Sequence, residues 1–223
     1  MKKTIIALLA LAGVAAADTY ELDMKDVTFG SADTLTKSNE AMNWADGAVY
    51  ETWYMEFKLS DVTATEYKAT ITAGPGGSNS SGLSVSAKAG SITLGTGSSN
   101  VISSAGSLTF TTTDTLTFAY YDGTAYLGNM TTKKYISAST DLPSTTTMTS
   151  GTSRAWANGN PTGTTQIGAT SIASLDNLDI PAGYTLDMGT LMTTGVAQSV
   201  PEPTTATLSL LALAGLAARR RRK

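Results

Sequence analysis

Four groups of side chains in this sequence have the types and spacing to do chemistry. In Glu21-Leu22-Asp23-Met24-Lys25-Asp26, strand alternation would put Glu21 and Asp23 on one face, as the two carboxyls of a retaining glycosidase require. The same acids also suit an ordinary charged edge strand. Trp156 with Arg154, Asn158 and Asn160 combines an indole face for a sugar ring with a guanidinium and amides for its hydroxyls. The alternative is an indole that pins a long loop to the body. Tyr50 and Tyr54, on the polar face of a predicted strand, make a second aromatic platform. Asp122, Asn129, Asp176, Asn177 and Asp179 offer oxygens to calcium, which takes about six to eight of them. They form no dense acidic loop, and Asp122 and Asn177 equally suit a turn and a strand end.

What is absent narrows the chemistry further. The chain has no histidine and no cysteine, which removes Cys/His zinc sites and Ser-His or Cys-His catalytic pairs. Stability must come from core and sheet rather than crosslinks. Gly74-Pro75-Gly76-Gly77 lacks the Lys-Ser/Thr and helix of a phosphate loop and reads as a turn. The formal charge of −3 hides an asymmetry: Lys2, Lys3 and the five C-terminal basic residues hold seven of the 15 positive charges, leaving eight against all 18 acidic residues in between. Such an acidic body repels nucleic acid. The expectation is a protein that is not an enzyme.

The elements that must position these side chains read as strands. Trp53, Met55, Phe57 and Leu59 alternate with Tyr54, Glu56, Lys58 and Ser60, giving one apolar and one wet face, with Glu51 the misfit near the strand start. Ile71, then Leu83, Val85 and Ala87, then Ile92 and Leu94, then Leu108 and Phe110, then Leu116, Phe118 and Tyr120 repeat the period of two between Gly and Ser turns. Asp122-Gly123 suits a two-residue hairpin. Trp53, Tyr120 and Tyr126 are expected in packing. Residues 142–163 are expected as a loop, 164–170, 172–180 and 184–193 as strands, and 198–202 as a linker. With no long helical pattern in the body, the predicted fold class is all-β, an antiparallel β-sandwich.

The two ends differ from the body. Lys2 and Lys3 precede an apolar stretch that closes in Ala15-Ala16-Ala17, the pattern of a secretory signal peptide. Signal peptidase is expected to cut before Asp18, with Ala15 and Ala17 as the small residues it reads. At the other end Val200-Pro201-Glu202-Pro203 leads into an apolar run, 204–218, and then Arg219-Arg220-Arg221-Arg222-Lys223. Proline suits a first helical turn and Glu202 its positive end. The run covers roughly 22 Å as a helix, short of the ~20 residues of a settled span. The basic block should stay cytoplasmic. The expected division is therefore a signal peptide (1–17), a β-sandwich domain (18–196), a linker with the Pro-Glu-Pro motif (197–203), and a short transmembrane sorting helix with its basic tail (204–223).

This order of Pro-Glu-Pro, short apolar helix and terminal arginines resembles the PEP-CTERM sorting signal of Gram-negative bacteria. The resemblance implies recognition of Pro201, Glu202 and Pro203 by an exosortase, a membrane-embedded cysteine transpeptidase. It also implies removal of the tail after a transient stay in the inner membrane, and a cell-surface or extracellular destination. Residues 114–129, with Tyr121-Asp122-Gly123 leading to Asn129, resemble the central hairpin of laminin-G-like, concanavalin A-like domains, and 174–180 resembles their late strand. That hairpin departs from the pattern at Asn129-Met130, where the family has Asn-Gly, and at Thr113, where it has Trp. This second resemblance implies a jelly roll, and with it carbohydrate or exopolysaccharide binding, with calcium near loop ends. Glu21 to Asp26 is similar to the Glu-x-Asp-x-x-Glu strand of laminarinase-type glycoside hydrolases, although its third acid is Asp and it opens the mature chain. Two alternatives to a lectin-like module stand beside it: a ligand-free structural surface protein and a glycoside hydrolase on the same fold.

Overall fold

Strand alternation decides which side chains reach the interior, and two facing sheets result. The computed structural model describes residues 19–27, 29–30, 40–41, 43–44, 49–59, 68–73, 82–97, 100–149, 154–158 and 167–202. In chain order the strands are β1 (Tyr20–Glu21), β2 (Lys25–Val27), β3 (Phe29–Gly30), β4 (Glu40–Ala41), β5 (Asn43–Trp44), β6 (Val49–Tyr50), β7 (Trp53–Leu59), β8 (Lys68–Ala73), β9 (Leu83–Lys88) and β10 (Ser91–Thr96). There follow β11 (Asn100–Val101), β12 (Ser107–Thr109), β13 (Leu116–Tyr121), β14 (Thr124–Asn129), β15 (Lys134–Ala138), β16 (Met148–Thr149), β17 (Arg154–Asn158), β18 (Ile167–Ser174), β19 (Tyr184–Leu186) and β20 (Gln198–Pro201). The α-helix among the described residues, α1 (Met188–Thr194), lies between β19 and β20.

One sheet has six strands in the order β15-β14-β13-β7-β18-β2; the other has seven, β11-β10-β9-β8-β17-β4, with β12 also on β10. Between them Trp53, Met55, Phe57 and Leu59 of β7 and Leu116 and Phe118 of β13 pack with Ile71 of β8, Leu83, Val85 and Ala87 of β9 and Ile92 and Leu94 of β10. Burying each large side chain contributes about 1.5–3 kcal/mol. Trp53 and Phe118 meet edge to face, ring centres 4.6 Å apart, and the indole N–H donates to the carbonyl of Thr146 at 2.8 Å. The all-β sandwich and its inward-facing sets are as expected.

The outer face of the six-stranded sheet departs from expectation, because it is covered. Tyr54, Ala119 and Ala173 on that face are buried beneath Leu175, Leu186, Met188, Leu191, Met192 and Ala197. The cover is a third layer, the sheet β1-β20-β19 together with α1. Small residues make room for it. A Cβ on Gly128 would collide with the Thr117 hydroxyl and the Met192 carbonyl, and Thr117 Oγ1 donates to that carbonyl at 2.8 Å.

Four local expectations are corrected. The strand expected over 184–193 ends at Leu186, after which Asp187 caps α1 by accepting from Thr190 N at 3.1 Å. Gly195, in the left-handed region at φ 77°, closes the helix. The strands expected at 164–170 and 172–180 are one strand, β18, with a bulge between Ala169 and Ser171, and the chain turns after Ser174. The loop expected at 142–163 contains β16 and β17. The linker expected at 197–203 contains β20, the middle strand of its sheet. The signal peptide, with Ala15, Ala17 and Asp18, and the tail from Pro203 through Arg219–Lys223 lie outside the described residues. No helix among the described residues is long and apolar enough to cross a membrane.

Candidate functional site

At one end of the six-stranded sheet, Tyr120 of β13 pairs with Trp53 of β7, which pairs with Ser174 of β18. The chain segments just past these positions therefore converge: Glu51 and Thr52, Tyr121 with the Asp122-Gly123 turn, and Leu175 with Asp176. Asp176 stitches them together. Its carboxylate accepts from Glu51 N at 3.1 Å, Thr52 N at 2.6 Å and Thr52 Oγ1 at 2.7 Å, while Leu175 N donates to the Thr52 carbonyl at 3.0 Å.

This end carries an open groove of about 620 Å³, bordered by Val49, Glu51, Tyr121, Asp176, Leu178 and Ile180 among others. Leu178 and Ile180 give it an apolar wall, Glu51 gives it a carboxylate, and Tyr121 adds an aromatic ring with a hydroxyl, while the Asp176 oxygens are held by Glu51, Thr52 and Ser174. Burial, reinforced by the charge of Asp122, pushes the Tyr121 phenol above its ordinary value, so at neutral pH it keeps its proton and can donate. Such a groove sets C–H faces beside hydrogen-bonding groups. No single motif announced the groove. Its residues come from three separate segments, and only the strand order joins them.

The hairpin was legible: Asp122 and Gly123 both have positive φ, 45° and 69°, as a two-residue turn requires. The calcium set, by contrast, does not converge. Asp122 and Asp176 lie at the groove end, whereas Asn129 pairs with Leu116 at the opposite end of β14 and is fully buried. Its amide is also fully engaged. Nδ2 donates to Thr109 O at 3.2 Å and Asp114 Oδ2 at 2.9 Å, and Oδ1 accepts from the N–H groups of Thr131 and Thr132 at 2.9 and 3.1 Å. Burial raises the pKa of Asp114, but the hydrogen bonds from Asn129, Thr111 and Thr131 outweigh it and hold the carboxyl below its ordinary value. Asn129 is thus a structural clasp. Among the described residues no three His, Cys, Asp or Glu side chains gather as a metal site.

Arg154, Trp156 and Asn158 lie on β17, inside the seven-stranded sheet, where they pair with Thr72, Thr70 and Lys68 of β8. They were expected on a loop. Because Ala155 pairs with Ile71, which sits in the core, the three positions belong to the opposite register of the sheet. They stand on a different sheet from the groove, and Asn160 lies outside the described residues. The Tyr50 and Tyr54 platform is overturned: the residues are 5% and 1% exposed, and Tyr54 donates its hydroxyl to Glu56 at 2.8 Å. Glu21 is exposed on the two-residue edge strand β1, and Asp23 is exposed beyond its end.

The start of the Pro-Glu-Pro motif is part of the folded body. Tyr184 pairs with Pro201, Thr185 with Val200 and Leu186 with Ser199, and Glu202 N donates to the Gly183 carbonyl at 2.8 Å. On the other side of β20, Tyr20 pairs with Ser199 and Glu21 with Gln198. Proline is tolerated at this strand end, where a missing N–H leaves no gap in the ladder.

Comparison with known proteins locates one family model: residues 199–223 match the PEP-CTERM protein-sorting motif. No curated protein matches the chain. Among solved structures, the crystal structure of HCR/D-Sa-GBL1/C is similar at 10% identity and a TM-score of 0.40, over 69% of this chain and 43% of that chain. The chain thus spans less than half the length of that structure.

Proposed function

We propose, from the PEP-CTERM sorting motif that the chain carries at residues 199–223, that this is an exported surface or matrix protein. Its body would be a non-catalytic, glycan-binding β-sandwich of the jelly-roll, concanavalin A-like kind. The motif implies passage across the inner membrane and handling by an exosortase, and the sequence pattern around Ala15-Ala16-Ala17 supplies the matching export signal for signal peptidase. The body's role rests on the groove at the β7, β13 and β18 ends, which sets a protonated tyrosine and an apolar wall beside Glu51.

A glycan array on the protein purified from the cell surface tests the binding role. Binding that is lost in Tyr121→Ala supports the groove, and binding lost only in Trp156→Ala supports the β17 positions instead. An array without hits favours a ligand-free structural protein. Hydrolysis of β-glucans that disappears in Glu21→Gln or Asp23→Asn would overturn the non-catalytic reading.

A further inference from the structure

We infer that the processing cut in the sorting motif falls on the C-terminal side of Glu202, so that the mature protein keeps β20 as its last strand. The inference rests on the exosortase reading of residues 199–223 and adds the position of the bond to it. Two structural facts bound that position from the N-terminal side. First, β20 is the middle strand of its sheet: β1 and β19 pair with it and not with each other. Its neighbour Ala197 accepts from Leu22 N at 2.8 Å, and Gln198 O accepts from Asp187 N at 2.7 Å. Ser199 and Ala197 are buried, and Ala197 belongs to the apolar cluster that covers Tyr54, Ala119 and Ala173. A cut upstream of β20 would leave β1 and β19 without the strand between them and open that cluster to water.

Second, the bonds inside the motif are not equivalent. Val200 and Pro201 are paired with Thr185 and Tyr184, and Glu202 N is bonded to Gly183. The peptide bonds 200–201 and 201–202 are therefore held in the β19–β20 ladder, and the first bond beyond it joins Glu202 to Pro203. β1 pairs with β20 only at Gln198 and Ser199. The edge of Val200 and Pro201 away from β19 thus carries no strand among the described residues, and an enzyme that reads its substrate as an extended strand can add to it there. From the C-terminal side the limit is Thr204, where the apolar run begins. Two bonds remain, Glu202–Pro203 and Pro203–Thr204.

The step at either bond is an acyl transfer. The enzyme's thiolate adds to the carbonyl carbon of Glu202 or Pro203, the C–N bond breaks, and the departing tail amine takes up the proton that the thiol lost. The acyl thioester then passes to an amine acceptor or to water, which restores the thiol. The new C-terminus is left at the Gly183 edge of an intact sheet.

The test is the mass of the C-terminal peptide of the surface-fraction protein from its native host, released by cleavage before Asp187. A peptide ending at Glu202 or Pro203, alone or carrying the added mass of an acceptor, is the expected result. A peptide ending at Pro201 or earlier would overturn the assigned position while leaving exosortase processing in place. A peptide running on to the terminal arginines would remove the sorting reading itself, and this inference with it.

Discussion

Replacing Asn129 with alanine should cost the body about 3 kcal/mol, most of it from one bond of the buried clasp. The side chain makes four hydrogen bonds: two donated, to Thr109 O and Asp114 Oδ2, and two accepted, from Thr131 N and Thr132 N. Thr131 and Thr132 are exposed, so water can take over their N–H groups and each loss there shrinks to a few tenths of a kcal/mol. The bond to the Asp114 carboxylate cannot be replaced so easily, because that group is 4% exposed. A hydrogen bond to a charged acceptor contributes about 1.5–3 kcal/mol, and because Thr111 N still donates to Asp114 Oδ2 at 2.9 Å the loss stays within that range; the Thr109 carbonyl adds about 1. Against a domain stability of about 5–15 kcal/mol this is a large fraction. Urea denaturation at pH 7 should show the midpoint falling while the slope stays constant. Asn129→Asp should be at least as damaging, since it sets a second carboxylate against Asp114, and should recover part of its loss on mild acidification. A loss below about 1 kcal/mol for Asn129→Ala would refute the view that this amide holds the β14 end against the Asp114 turn.

Three further outcomes can be measured. Gly128→Ala should destabilise the body by about 1–3 kcal/mol and loosen α1 first, since the added methyl meets the Thr117 hydroxyl and the Met192 carbonyl; hydrogen exchange of the helix amides reads this directly. Asp114 has its folded-state pKa below the ordinary 3.8, so the stability it adds is fully present above that value and is lost as the pH falls from there through the lower folded pKa. Asp114→Asn should flatten the stability profile in that acidic window. Replacing Pro201, Glu202 and Pro203 by alanine should leave the precursor in the inner membrane, whereas neutralising Arg219 to Lys223 should weaken the hold of that end in the cytoplasm; fractionation with protease protection separates the two.

The inner core was legible because Trp53, Met55, Phe57 and Leu59 alternate with polar residues and strand geometry converts that spacing into two faces. The same reasoning misread the second face. Tyr54 sits among Thr52, Glu56 and Lys58, so it looks solvent-facing, yet the buried residues that cover its ring, from Leu175 to Ala197, lie more than a hundred positions away in sequence. α1 was missed because Gly189 and its three threonines are weak helix formers; its true signals were the Asp187 cap, the Gly195 stop and the spacing of Met188, Leu191 and Met192. β20 was hidden by Pro201 and the Pro-Glu-Pro pattern it opens, which reads as a linker until β1 and β19 are seen to flank it. The groove could not be found from spacing at all, since Glu51, Tyr121 and Asp176 meet only through the pairing of β13 and β18 with β7.

The most direct test of the sorting motif is the intact mass of the protein in the surface fraction of its native host, compared with a strain lacking exosortase. The tail should be missing in the first and still attached in the second, where the chain stays with the inner membrane. A surface protein that carries Lys223 in both strains would contradict the sorting reading.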